Sequence, residues 1–136
     1  MESIPEPNKR LLAEFAAKER ERIVELSSSG QLVELDRMAE LLGVTPQAVL
    51  DAEASCRTFS VEGVNGRLYP AFYASTHLNR TLLEAVSLRL GRLPGASKWQ
   101  FFTNPRLSLD GQTPIKALEA GGIDLVVAAA VAFKEG

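Results

Sequence analysis

Few side chains in this 136-residue chain could do covalent chemistry. It has one histidine, His77, and one cysteine, Cys56. A lone histidine removes any His-rich metal site and leaves a single candidate for a His-dependent triad. In "ASTHLNR" it sits just before a helix and reads as a surface or cap residue. A lone cysteine allows neither an intrachain disulfide nor a cysteine metal cage. No serine carries a local nucleophile signature, and no glycine-rich phosphate loop opens a helix. The acids Glu34, Asp36, Glu40, Asp51 and Glu53 fall at solvated-face spacing on helices rather than as a pair across a cleft. The chain is therefore expected not to be an enzyme, with no catalytic residue, no metal and no cofactor.

Recognition is the chemistry that remains. Hydrophobic residues make up 46% of the chain, an ordinary globular composition, and the length suits one compact domain or two small subdomains sharing a core. The formal net charge is -2, unevenly spread. Residues 1–60 carry seven Lys/Arg against eleven Asp/Glu, and residues 61–136 carry eight against six. No concentrated basic face stands out of the kind a strong duplex binder shows. The start "MESIPEPNKR" lacks a basic-then-apolar signal pattern, and the longest apolar run, "LVVAAAVAF", is too short to span a bilayer. A cytoplasmic protein without a membrane role is expected.

The elements that must position any recognition surface are legible from periodicity and punctuation. Residues 1–8 read as a frayed lead-in. From about residue 8 to 29, "KRLLAEFAAKERERIVEL" predicts a helix with an apolar stripe of Leu12, Phe15, Ala16, Ile23 and Leu26, interrupted by Glu19. "ELDRMAELLGVTPQAVLDAEAS" predicts two short helices. The first stops at Gly43; the second starts with Thr45 as N-cap and Pro46 in its first turn. Leu35, Ala39, Leu42, Val44, Val49 and Ala52 should face inward. Ala39, then Gly43 four residues on and Val49 six further, is helix-turn-helix spacing, although a plain αα-hairpin would share it. "CRTFSVEGVNGRLYPAF" then switches to alternation: a hairpin wing that turns at "EGVNG" and stops at Tyr69-Pro70, since proline cannot donate to a ladder. A central helix at about 79–91 follows. After it come a short helix bearing Trp99, Phe101 and Phe102, an extended loop with Leu107 and Leu109 as apolar pegs, a helix capped by Thr113 and Pro114, and a Val/Ala-faced last helix. The fold expected is mainly α: an N-terminal helix (1–30, possible oligomerisation), a winged helix-turn-helix-like unit (31–75) and a helical C-terminal domain (76–136).

Residues 99–136, opening with "WQFFTNPRLSLDGQTPIKALEAGG", resemble the toxin-binding domain of Xre/MbcA/ParS-type antitoxins, most specifically in "LDGQTP" followed by "AL" and a glycine. The preceding helix-turn-helix, wing and "YPAF" are similar to the DNA-binding half of such proteins. The resemblance implies a small bacterial antitoxin of a type II toxin–antitoxin system. It would bind and neutralise a cognate toxin, often of the RES type, and autoregulate its operon by DNA binding. Trp99, Phe102, Leu109, Gly111, Pro114 and Leu118 match the family signature. The toxin-binding platform it implies comprises Trp99, Phe102, Asp110, Gly111 and Pro114, with Lys134 and Glu135 in a short tail able to reach a partner. By residue type, the signature positions read as scaffold: aromatic pegs, a turn and caps.

For DNA, Thr45 and Gln47 lie at the start of the second helix of the pair, where they could meet base edges or phosphates. Arg57, Asn65 and Arg67 lie on and near the wing. The family's second helix is usually basic, whereas this one holds Asp51 and Glu53 and no Lys or Arg, so operator binding is expected to be weak and salt-dependent. A homodimer or higher oligomer is expected from the apolar faces of the first and last helices. Two other readings stay open: an orphan winged-helix regulator or interaction module without a toxin, and a winged-helix repressor answering a small molecule.

Overall fold

The computed structural model describes residues 6–136. The first five residues of the expected lead-in lie outside them, and a helix, α1 (Glu6–Ser28), begins within it. The chain continues through β1 (Leu32–Val33), α2 (Leu35–Leu42), α3 (Pro46–Ala54), β2 (Val61–Gly63) and β3 (Gly66–Pro70). A 3-10 turn (Ala71–Ala74) leads into α4 (Arg80–Leu90) and α5 (Gly95–Thr103). A second 3-10 turn (Leu107–Leu109), α6 (Pro114–Glu119) and α7 (Ile123–Glu135) complete it. The fold is mainly helical with one small antiparallel sheet in the order β1-β3-β2.

The helix-turn-helix pair forms for local reasons. Gly43 closes α2 at φ 69°, a left-handed conformation that a β-carbon would strain. Two residues later Thr45 caps α3, its hydroxyl accepting from the Ala48 N–H at 3.1 Å. Met38, Ala39 and Val49 are buried where the two helices cross.

The sheet departs from the hairpin expected from sequence. The hairpin ladder ends with Val61 opposite Leu68 and the strand ends at Pro70, as expected; Tyr69 and Pro70, however, gain a second partner. Beyond the hairpin, β3 pairs with β1, Val33 opposite Tyr69 and Leu32 opposite Pro70. The proline is tolerated because it occupies the last position of the strand. Phe72 follows in the 3-10 turn.

The C-terminal half packs α4 against α7. Leu83, Val86 and Leu90 meet a face on which Val126 and Ala130 are wholly buried. Much of the small-residue face of α7 is thus covered by this chain's own α4, and small side chains permit that close approach. Lys134 and Glu135, read as a short tail, belong to the last turn of α7. Leu109 is a buried peg as its spacing suggested, but Leu107 is not: it is 97% exposed.

One aromatic cluster joins the halves. The rings of Phe59 and Phe102 are stacked with centroids 6.0 Å apart, and those of Phe72 and Trp99 with centroids 5.8 Å apart. Tyr73 and Phe101 extend the cluster on either side. The core is therefore continuous across the 75/76 boundary.

The start of α5 approaches the strand before it so closely that only glycine fits. A β-carbon on Gly95 would lie 1.8 Å from the Ser60 carbonyl oxygen. Gly95→Ala should therefore destabilise the protein by about 3 kcal/mol, the upper end of ordinary overpacking, because backbone must move. Urea denaturation followed by the fluorescence of Trp99 checks this.

Candidate nucleic-acid interface

The expected DNA-facing residues are distributed over α3, its exit and the hairpin. Thr45, Gln47 and Asp51 are exposed on α3. The Gln47 amide donates to Asp51 Oδ1 at 2.9 Å, one helical turn on, so each partly satisfies the other on the outer face. Arg57 follows α3 and is half-buried, its Nε donating to Ser55 Oγ at 2.8 Å. Asn65 is exposed at the tip of the two-residue turn between β2 and β3. Arg67 is exposed on β3, opposite Glu62. The structure thus spreads these residues over three segments and draws only Arg67 directly to α3.

That link is Glu53, which sequence spacing placed on a solvated face. It turns instead toward the hairpin, with its side chain 19% exposed. Its carboxylate accepts from Ser60 Oγ at 2.6 Å, Tyr69 Oη at 2.7 Å and Arg67 Nη1 at 3.0 Å. Burial alone would raise the Glu53 pKa, but the hydrogen bonds from Ser60, Tyr69 and Arg67 and the Arg67 charge outweigh it and hold the carboxyl below its ordinary value. Burial, then the neighbouring carboxylate, pushes the Tyr69 phenol well above the usual tyrosine range, so it stays a donor. Arg67 therefore serves Glu53 first and is not a free wing cation. No sequence signal marked this cluster: its members are 7, 14 and 16 residues from Glu53.

The residues read as a toxin-binding platform divide between core and surface. Trp99, Phe102 and Pro114 are buried, whereas Asp110, Gly111, Lys134 and Glu135 are exposed. Trp99 and Phe72 line a cleft of about 480 Å³, with Ile115 beside them and Lys116 and Glu119 among its polar lining. Lys134 lies over the end of α4, close enough that a β-carbon on Gly91 would fall 2.8 Å from its Nζ. Sequence reading missed the surface beside the signature. Leu107 projects from a turn whose neighbour Arg106 places its guanidinium 4.8 Å from the Phe101 ring centroid and 4.5 Å from that of Phe133. A shallow groove of about 680 Å³ runs there between Pro105, Leu107, Ala129, Ala132 and Phe133. Among the described residues, no helix is long and apolar enough to cross a membrane.

No protein-family model matches the chain, and no curated protein does. Among solved structures it is similar to the NMR structure of Rv2175c, with a TM-score of 0.60 and 24% sequence identity. The similarity covers 76% of this chain and 80% of that one. It is a likeness of fold.

Glu53 makes the hairpin's attachment to α3 pH-dependent. Its folded pKa is lowered, so its contribution to stability is complete above the unfolded carboxyl value of about 4.3 and is lost as pH falls through the folded value. Glu53→Gln, which cannot ionise, should lower the melting temperature at pH 7. Its deficit relative to wild type should shrink progressively below about pH 4. Thermal melts of both proteins between pH 7 and pH 3 check this; a constant deficit would show that the carboxylate charge is not what holds the hairpin.

Proposed function

We propose that the chain is an antitoxin-like regulator that binds its own operator through the winged helix and a protein partner, a toxin, through its C-terminal helices. The observation that supports the DNA half best is the fastening of the hairpin to α3 by Glu53, which leaves the exposed Thr45–Gln47 end of the helix and the Asn65 tip as parts of one rigid body. A helix presented with a wing is a recurring groove-reading arrangement, and the start of the second helix is the part that meets base edges. The charge distribution argues for modest affinity. Asp51 remains an uncompensated acid on the outer face, and the nearby cations are few. The partner half of the reading draws on the resemblance of residues 99–136 and on Leu107: an almost fully exposed leucine on a fixed turn, beside an apolar groove, is a surface suited to another protein.

Fluorescence anisotropy with a duplex from upstream of the chain's own gene, against a scrambled duplex, tests the DNA half. Specific binding should weaken steeply with salt. Arg57→Ala should flatten the salt slope by about one unit while lowering affinity for both duplexes alike. Arg67→Ala should cost more, because it removes a cation and also leaves the Glu53 carboxylate unneutralised near the phosphates. Equal affinity for the two duplexes, or no binding at low salt, would defeat the operator reading.

For the partner, Leu107→Glu should abolish co-purification with the product of the adjacent gene and leave the melting temperature unchanged, since the side chain is almost entirely in solvent. Co-purification undiminished by Leu107→Glu would remove this surface, and its absence for the wild-type chain would remove the antitoxin reading.

A further inference from the structure

Arg106 is a cation without an anion. It precedes the turn that carries Leu107, and it is half-buried. The rings of Phe101 and Phe133 beneath it attract the charge but leave the in-plane N–H donors unused. Its Nε is buried and meets no hydrogen-bond acceptor. Among the described residues, no carboxylate comes within ion-pair distance of the guanidinium. Burial lowers its pKa from the ordinary guanidinium value, and no neighbouring charge offsets that. Asp110 and Glu135, the acids closest in sequence to the turn and to Phe133, are exposed and do not pair with it. A charge partly stripped of water and left unpaired costs stability, and a bound anion would relieve that cost.

The groove beside Arg106 indicates what carries the anion. Its lining is mostly apolar, with Leu107, Ala129, Ala132 and Phe133. Leu125 is 62% exposed. At 100° per residue it falls on the same side of α7 as Ala129 and Ala132, so the apolar surface continues along the helix. A phosphate backbone gains little from such a surface, whereas apolar side chains of a protein bury it. The bordering segments, 104–109 and 125–136, carry Arg106 and Lys134 against one acid, Glu135. We infer that the groove takes a partner-protein segment in which large apolar side chains flank an aspartate or glutamate, and that Arg106 pairs with that carboxylate. The inference rests on the partner reading given above and adds the chemistry that is recognised. The rings hold the guanidinium in place before binding, so little side-chain freedom is lost when the pair forms. Leu107 and Leu125 supply area. Arg106 supplies selection, because a segment without a carboxylate would cover the cation and leave it unpaired.

Calorimetric titration of the full chain with the purified product of the adjacent gene tests this. Arg106→Gln should weaken binding roughly 10- to 100-fold. Arg106→Lys keeps the charge but not the forked geometry and should fall between the two. A second measurement leaves this chain intact: each surface Asp or Glu of the partner is changed to its amide. One such change should weaken binding to the wild-type chain as much as Arg106→Gln does, and should add nothing when the two are combined. Wild-type affinity for Arg106→Gln, or additive losses for every partner acid, would overturn the inference; if Leu107→Glu still abolished binding, the partner surface itself would stand. Arg106→Gln weakening binding to the operator duplex but not to the protein would overturn it too, and would give the cation to a phosphate. A wild-type chain that does not bind the adjacent product would remove the partner reading and this inference with it.

Discussion

The structure depends on the aromatic contact between the turn after β3 and α5. Phe59 and Phe72 belong to the winged half, and Trp99 and Phe102 to the helical half; the two pairs stack across the join. Phe72 also meets Phe102 at 5.2 Å, so the four rings form one block. Offset stacking adds roughly 1 kcal/mol per pair to the area buried, and burial of four large rings is the larger effect. A chain of this length has too little surface to build two good cores. Sharing one lets each half be smaller than it could be alone, and it couples the orientation of α3 to that of α5. The Ser60 carbonyl pressed against Gly95 is the backbone consequence of the same contact.

Much of this fold was legible because its boundaries are chemical punctuation. Gly43, Thr45-Pro46, Asn79 and Thr113-Pro114 each act through neighbours within four residues, and each lies at an element end as read. The long-range features were not legible. β1 is two residues long, with no alternation to detect, and it exists because Leu32 and Val33 find the free edge of β3. Pro70 ends β3 as read, but nothing local told that its strand would have β1 on its other edge. Glu53 was misread because helical spacing reports the angle at which a side chain leaves the axis, not which hairpin is folded against it. Leu107 failed in the opposite sense, since an apolar residue near a buried Leu109 has no local mark of being outside.

Electrostatics limits how the winged half can engage a polyanion. Glu53, Arg67 and Tyr69 form a closed group in which the guanidinium neutralises the carboxylate that positions it. The group adds stiffness to the wing but little net positive potential. On α3 the Gln47–Asp51 contact leaves a negative charge facing outward. Against phosphates, exposed like charges cost attraction over the Debye length of about 10 Å at 0.1 M salt. Under the proposed operator reading, affinity would have to come from base-edge hydrogen bonds rather than from a high density of cations.

The same distinction between scaffold and surface explains the punctuation of residues 99–122. Trp99, Phe102 and Pro114 are buried and fix the segment from beneath. Asp110 at φ 56° and Gly111 at φ 81° reverse the chain, with the Gly111 N–H donating to the Arg106 carbonyl at 2.9 Å and the Arg106 N–H to that of Gln112 at 3.0 Å. Leu109 anchors one side of the turn in the core, and Arg106 lies over two rings on the other. Between these anchors Leu107 has no contact to gain from its own chain. A flexible loop would fold such a residue inward or lose its exposure to motion. A turn closed by backbone hydrogen bonds holds it out, so contact with a partner of the kind proposed would order little further backbone.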